Sequence, residues 1–190
     1  MVYTIASNQV NAIRYMKAVR TLVVGTTGGE FTVSADGTDA SITPTNITIK
    51  RQSSFGSANV DAIPAGNAIL FLQKAKRKIR ELQYNFDSDG YQAADLTILN
   101  ETVTDTGINE MSYQQEPGSN IWCVRDDGVL ACLTYQRSEN VIAWSRHIFG
   151  GAFGSGKAVC ESVASISGVL TEDEVWVCLL YTSPSPRDVE

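Results

Sequence analysis

Apolar and polar positions along this chain alternate in short runs rather than at helical spacing. Stretches rich in Val, Ile, Thr, Tyr, Phe and Trp are divided by Gly, Asp, Asn and Pro, the pattern of strands joined by tight turns. The clearest stretch, INEMSYQQEPGSNIWCVRDDGVLACLTYQRSENVIAWSRHIF, predicts four strands over residues 108–114, 120–125, 129–136 and 141–148. Links as short as EPGS, DDG and RSEN allow only antiparallel neighbours. Asp126, Asp127 and Gly128 form a good hairpin turn, because Asp and Gly tolerate positive φ.

The strand–turn–strand shape recurs. RTLVVGTTGGEFTVSA centres on Gly28, with Gly29 beside it, NAILFLQKAKRKIRELQY on Lys76 and NIWCVRDDGVLACLTYQ on Asp127, at intervals of 48 and 51 residues. AVCESVASIS followed by DEVWV begins a fourth copy, placing Trp176 54 residues after Trp122. A four-stranded meander of about 40 residues is the length of one propeller blade. The central strands are apolar on both faces (Ile121, Trp122, Cys123 and Val124; residues 68–72), so other sheets must sandwich them. The expected fold is therefore all-β, with antiparallel four-stranded blades of an incomplete β-propeller: about three blades and the start of a fourth, over residues 10–56, 57–100, 105–150 and 157–177. One segment conflicts locally. Residues 67–83, NAILFLQKAKRKIRELQ, consist mostly of strong helix formers, yet their place in the repeat predicts a hairpin with a basic tip.

Composition narrows the partners. The 190 residues are 43% hydrophobic and 19% charged, with 15 Lys+Arg against 21 Asp+Glu, a mildly acidic balance that argues against a general nucleic-acid binder. No apolar run approaches the ~18 residues of a membrane span, and the first residues lack the basic and apolar regions of a signal peptide. Cys123, Cys132, Cys160 and Cys178 show no metal-ligand spacing and sit in apolar strands, as reduced buried thiols do.

The chemistry-bearing candidates are few, and no catalytic residue, metal or cofactor is expected. His147, the only histidine, falls on an outer strand, with no GxSxG elbow in the chain and no Cys–His pair suggested by context. Asn85, Asp87 and Asp89 occupy positions 1, 3 and 5 of a calcium-loop pattern with Gly90 at 6, but Ala93 at position 9 and Leu96 at 12 supply no ligand. A polar interstrand turn is the better reading. Lys74, Lys76, Arg77, Lys78 and Arg80 gather five cations in seven positions, either a solvated hairpin tip or an electrostatic contact with phosphate or an acidic partner. GGAFGSG (residues 150–156) lacks the Gly-Lys-Ser/Thr and helix of a phosphate loop, and reads as a flexible linker.

The series ASNQVNAIRYM, TLVVGTTGGEFTVS, TPTNITIKRQSSFGSANVDAIPAGNAILFLQ and RELQYNFDSDGYQAADLTIL resembles the tail nozzle (tail tubular protein B-like) proteins of short-tailed phages and prophages. The likeness is greatest at the Gly-Gly-Glu turn (residues 28–30), at RQSSFGS (51–57) and at Asp-Leu-Thr (95–97); Trp122 and Trp144 also fit, and nearly all of residues 3–177 is covered. The resemblance implies a propeller inside a larger virion structural protein, made in the bacterial cytoplasm. It also implies assembly as a ring of six at the distal tail, with adaptor and fibre proteins as partners and transient contact with exiting DNA. No catalytic residues come with it. A non-viral propeller that binds protein or carbohydrate through its blade-tip loops is the alternative. Finally, CLLYTSPSPRD (residues 178–188) resembles the in-frame translation of a transposon-end sequencing adapter, so residues 178–190 are expected to be a non-native tail on a sequence interrupted near Val177.

Overall fold

The computed structural model describes residues 11–36, 41–154, 156–169 and 171–182. It is all-β with antiparallel sheets, and the chain divides into two compact units, residues 1–99 and 100–190.

The first unit holds two meanders. β1 (Ile13–Ala18), β2 (Leu22–Thr26), β3 (Gly29–Ala35) and β4 (Ile47–Ser53) form one sheet in chain order. β5 (Ile63–Ala65), β6 (Ala68–Leu72), β7 (Ile79–Asn85) and β8 (Gly90–Asp95) form the next, also in chain order. The two sheets share a core in which Tyr15 and Val23 of the first meet Ile69, Phe71 and Leu82 of the second, with Ala62 between. Burying each of the larger of these side chains contributes about 1.5–3 kcal/mol. Tyr15 lies directly over its cross-strand partner Gly25, where a Cβ would come within 2.1 Å of the ring. Glycine is required there because the ring takes the space a side chain would use.

The helix-like segment 67–83 is a hairpin. Every residue of β6 is buried, whereas an exposed amphipathic helix would bury one stripe. Sandwiching of Ala68–Leu72 on both faces outweighs the local helix propensity.

In the second unit β9 (Ile108–Gln114), β10 (Asn120–Arg125), β11 (Leu130–Gln136) and β12 (Val141–His147) form a third four-stranded sheet, with boundaries within a residue of the expected ones. A short hairpin of two-residue strands, β13 (Ala152–Phe153) with β14 (Gly156–Lys157), lies in and just after the glycine-rich segment. β15 (Val159–Ser167) and β16 (Asp173–Leu180) then pair over one face of the third sheet. Val124 and Leu130 meet Cys160 and Val163 there, flanked by Trp122, Phe149, Val175, Val177 and Leu179. Polar contacts set the register: the Glu110 carboxylate accepts Ser162 Oγ at 3.2 Å, and Ser112 Oγ accepts the Ser165 N–H at 2.8 Å.

β16 does not stop at Val177. Cys178, Leu179 and Leu180 continue it opposite Ser162, Cys160 and Val159. Strand pairing uses backbone groups, so an apolar segment of either origin can extend the ladder. The remaining adapter-like residues, 183–190, lie outside the described residues. Among those described, no sheet closes on itself.

Candidate functional site

The five clustered cations do not act as one patch. The β6–β7 tip is closed by the Lys76 N–H donating to Gln73 O at 2.7 Å and the Gln73 N–H to Lys78 O at 2.8 Å, with Lys76 itself at φ 62°. Lys74 and Arg77 are exposed on this tip and Lys76 is half-buried. Lys78 instead pairs with Asp95 at 2.9 Å. Asp95 also accepts the Thr97 hydroxyl at 2.6 Å and the Thr97 N–H at 2.9 Å. Burial works to raise the Asp95 carboxyl, but these donors outweigh it and hold it below the usual carboxylate range.

Arg80 belongs to the base of the hairpin, on β7. Its guanidinium stacks 3.5 Å over the Phe55 ring and donates to Gln73 Oε1 at 2.8 Å and Ala93 O at 2.9 Å. Its role is cohesion, through cation–π and hydrogen-bond contacts. Of the five cations, Lys74 and Arg77 are the exposed ones.

Beneath the tip lies a group that the sequence reading passed over. Glu30, the last residue of the Gly-Gly-Glu turn, is completely buried. Its carboxylate accepts hydrogen bonds from Ser53 Oγ and, at 2.8 Å, from Ser57 Oγ, with a further bond from the Gly56 N–H. Burial pushes its pKa above the usual range, against the lowering effect of those donors and of the Arg80 charge. The Tyr15 hydroxyl is buried against the same site without a hydrogen bond of ordinary geometry, and burial, then the Glu30 charge, drives its pKa well up.

The loop carrying these serines is stitched to both sheets. The Ser57 N–H donates to Thr26 O, the Ala58 N–H to Leu72 O, both at 2.8 Å, and the Lys74 N–H to Gly56 O at 2.9 Å. Gly56 has φ 73°, and a Cβ there would sit 2.4 Å from Thr27 O, so only glycine lets the loop approach. Glu30, RQSSFGS and the basic hairpin are thus one joint between consecutive sheets. A buried acid at the start of an apolar strand, with serine-rich sequence 23 to 27 residues on, was the available signal.

The turn residues of the second unit prove to be more than turn formers. Only Gly128 takes positive φ (75°), and its N–H donates to Arg125 O at 3.0 Å. Asp127 forms a two-point pair with the buried Arg125 guanidinium, Nε to Oδ1 at 3.0 Å and Nη2 to Oδ2 at 2.7 Å. Arg125 also donates to Val103 O at 2.7 Å and Thr106 Oγ1 at 3.1 Å, anchoring the loop that leads into β9. Asp126 makes no such pair. Gly28 sits in the two-residue loop between β2 and β3, and Gly29 opens β3.

The calcium-like segment is the β7–β8 hairpin loop. Asn85 Oδ1 accepts the N–H groups of Asp87 and Ser88 at 2.8 and 3.2 Å, and Asp89 accepts Tyr84 Oη at 2.5 Å. The candidate ligands therefore close the turn, as the polar-turn reading expects. Among the described residues no group of three His, Cys, Asp or Glu side chains is placed to hold a metal ion. His147 is exposed on β12, with its ring centroid 5.0 Å from that of Trp122 and Nε2 3.1 Å from Ser145 Oγ. Burial raises the thiols of Cys123 and Cys132, the latter to about 11, while Cys178 is exposed.

No protein-family model matches the chain, and no curated protein matches it.

Proposed function

We propose that the chain is a β-propeller portion of a virion structural protein, a component of a short-tailed phage or prophage tail nozzle. The observation that carries this reading is the Glu30 joint. It ties together two of the three stretches in which the nozzle resemblance is strongest, the Gly-Gly-Glu turn and RQSSFGS, and it does so where consecutive four-stranded meanders stack. A buried hydrogen-bonded carboxylate at that place serves cohesion between blades rather than chemistry. In the assembled virion the propeller stands in a homo-oligomeric ring at the distal end of the tail, next to adaptor and fibre proteins. Its mildly acidic wall repels the exiting DNA, and Lys74, Lys76 and Arg77 face an acidic partner.

Electron microscopy and light-scattering mass of the full-length product of the source gene test this. Six-membered rings carrying propeller-shaped density are expected, and a product that stays monomeric at every concentration refutes the reading. The contact role of the tip is tested by Lys74, Lys76 and Arg77 changed together to Ser. Lys78 and Arg80 are left intact, because they hold the hairpin itself.

A further inference from the structure

The first unit holds a cleft of about 550 Å³, within the range of small-molecule sites. Four elements of the first unit build it: the β1–β2 turn, the β5–β6 turn, β7 and β8. Two aromatic walls, Tyr84 and Tyr91, stand edge-to-face with centroids 5.6 Å apart. Each is pinned by its hydroxyl, Tyr84 to Asp89 at 2.5 Å and Tyr91 to Thr21 Oγ1 at 2.9 Å. The Arg20 guanidinium lies 4.5 Å over the Tyr84 ring, exposed, and no carboxylate among the described residues pairs with it. The carboxamides of Asn67 and Gln83 also line the cleft and make no hydrogen bond to any described residue.

We propose that this cleft binds an acidic saccharide, one hexuronate-type ring at a time. Each carboxamide offers an acceptor and two donors, which match neighbouring sugar hydroxyls. The pinned tyrosines give apolar surface to the C–H face of a pyranose. A guanidinium already oriented by stacking takes a carboxylate in two-point geometry. Concavity built from two turns and two strands suits a compact ring better than an extended acidic peptide. The site lies wholly within residues 11–99 and stands whether or not the protein forms a ring.

The test is saturation-transfer NMR with titration calorimetry on the whole chain. The probes are a hyaluronan tetrasaccharide, neutral chitotetraose and a tetraglutamate peptide. The acidic saccharide is expected to bind with Kd of about 1 mM or tighter and chitotetraose more weakly. Arg20→Gln should weaken the acidic ligand by roughly tenfold and Asn67→Ala by about fivefold, the usual effects of losing a charged and a neutral hydrogen bond. Both positions are exposed, so circular dichroism should show the fold unchanged. No transfer to either saccharide at ~5 mM, a concentration that detects even weak sites, overturns the proposal. So does binding that both substitutions leave unchanged, or equal binding of the neutral and acidic saccharides, or binding of tetraglutamate alone.

Discussion

Replacing Glu30 by Ala and, separately, by Gln separates the hydrogen bonds of the joint from its charge. In the Ala variant the buried Ser57 hydroxyl and the Gly56 N–H lose their acceptor, while the half-buried Ser53 can turn to water. Each buried group left unsatisfied costs about 1–3 kcal/mol, and the missing side chain leaves a void on top. A loss of roughly 3–5 kcal/mol follows for the first unit. Gln keeps the shape, and its carbonyl still accepts one serine while the other hydroxyl reorients; the expected change is within about 1 kcal/mol. The charge enters through pH. Because the folded pKa of Glu30 lies above the unfolded value, the folded state holds the proton more tightly than the unfolded one. Its stabilising share is complete below the unfolded pKa, near the ordinary 4.5, and is lost as pH rises through the raised folded value. Gln should flatten that slope. Asp95 has the opposite sign, since its lowered pKa gives stability that is lost only as pH falls below 3.8. All three tryptophans fall after residue 100, so intrinsic fluorescence reports on the wrong unit. Hydrogen exchange read by mass spectrometry on peptides from residues 11–99, between pH 4 and about 8, is the suitable assay. Ala and Gln variants with equal loss of protection would show that the charge, not the hydrogen bonding, holds the joint. An Ala variant as protected as the parent would remove the joint altogether.

Three further outcomes are expected. Arg125→Met should destabilise the second unit by roughly 2–4 kcal/mol, because it strands Asp127 and the Val103 carbonyl beside a lost buried cation; urea unfolding followed by tryptophan fluorescence measures it, and an unchanged midpoint would contradict the anchoring role. Gly128→Ala meets both a positive φ and Val159 at 2.5 Å, whereas Gly66→Ala meets the φ (59°) with nothing within 4 Å; melting temperatures should therefore fall clearly more for the former, with about 1 kcal/mol expected for the latter. A maleimide should label Cys178 first and reach Cys123 and Cys132 only on unfolding, an order that peptide mapping checks and that simultaneous labelling would disprove.

Element type and pairing were legible because strand signals are local. A turn of Asp and Gly between two alternating runs can close only antiparallel neighbours, which is why β9–β12 fall where the pattern puts them. Repetition at 48 and 51 residues settled the one segment where propensity pointed the other way, residues 67–83. Side-chain fate was less legible. Period-two alternation says which residues share a face of a strand, not which groups that face will meet. Glu30 looked like a turn residue, Arg80 like one more surface cation and Asp127 like a hairpin former. The Ser57 hydroxyl for Glu30 and the Phe55 ring for Arg80 arrive only when the sheets stack, whereas Ser53 is the cross-strand partner of Glu30 and Arg125 lies two residues from Asp127. The Tyr84–Tyr91–Arg20 cleft was invisible for the same reason, being assembled from positions up to 73 residues apart. Backbone hydrogen bonding is written into neighbouring residues, and so the sequence determined the strands and their order. Burial is a property of the stacked sheets, and it alone decided which charged groups became joints and which stayed on the surface.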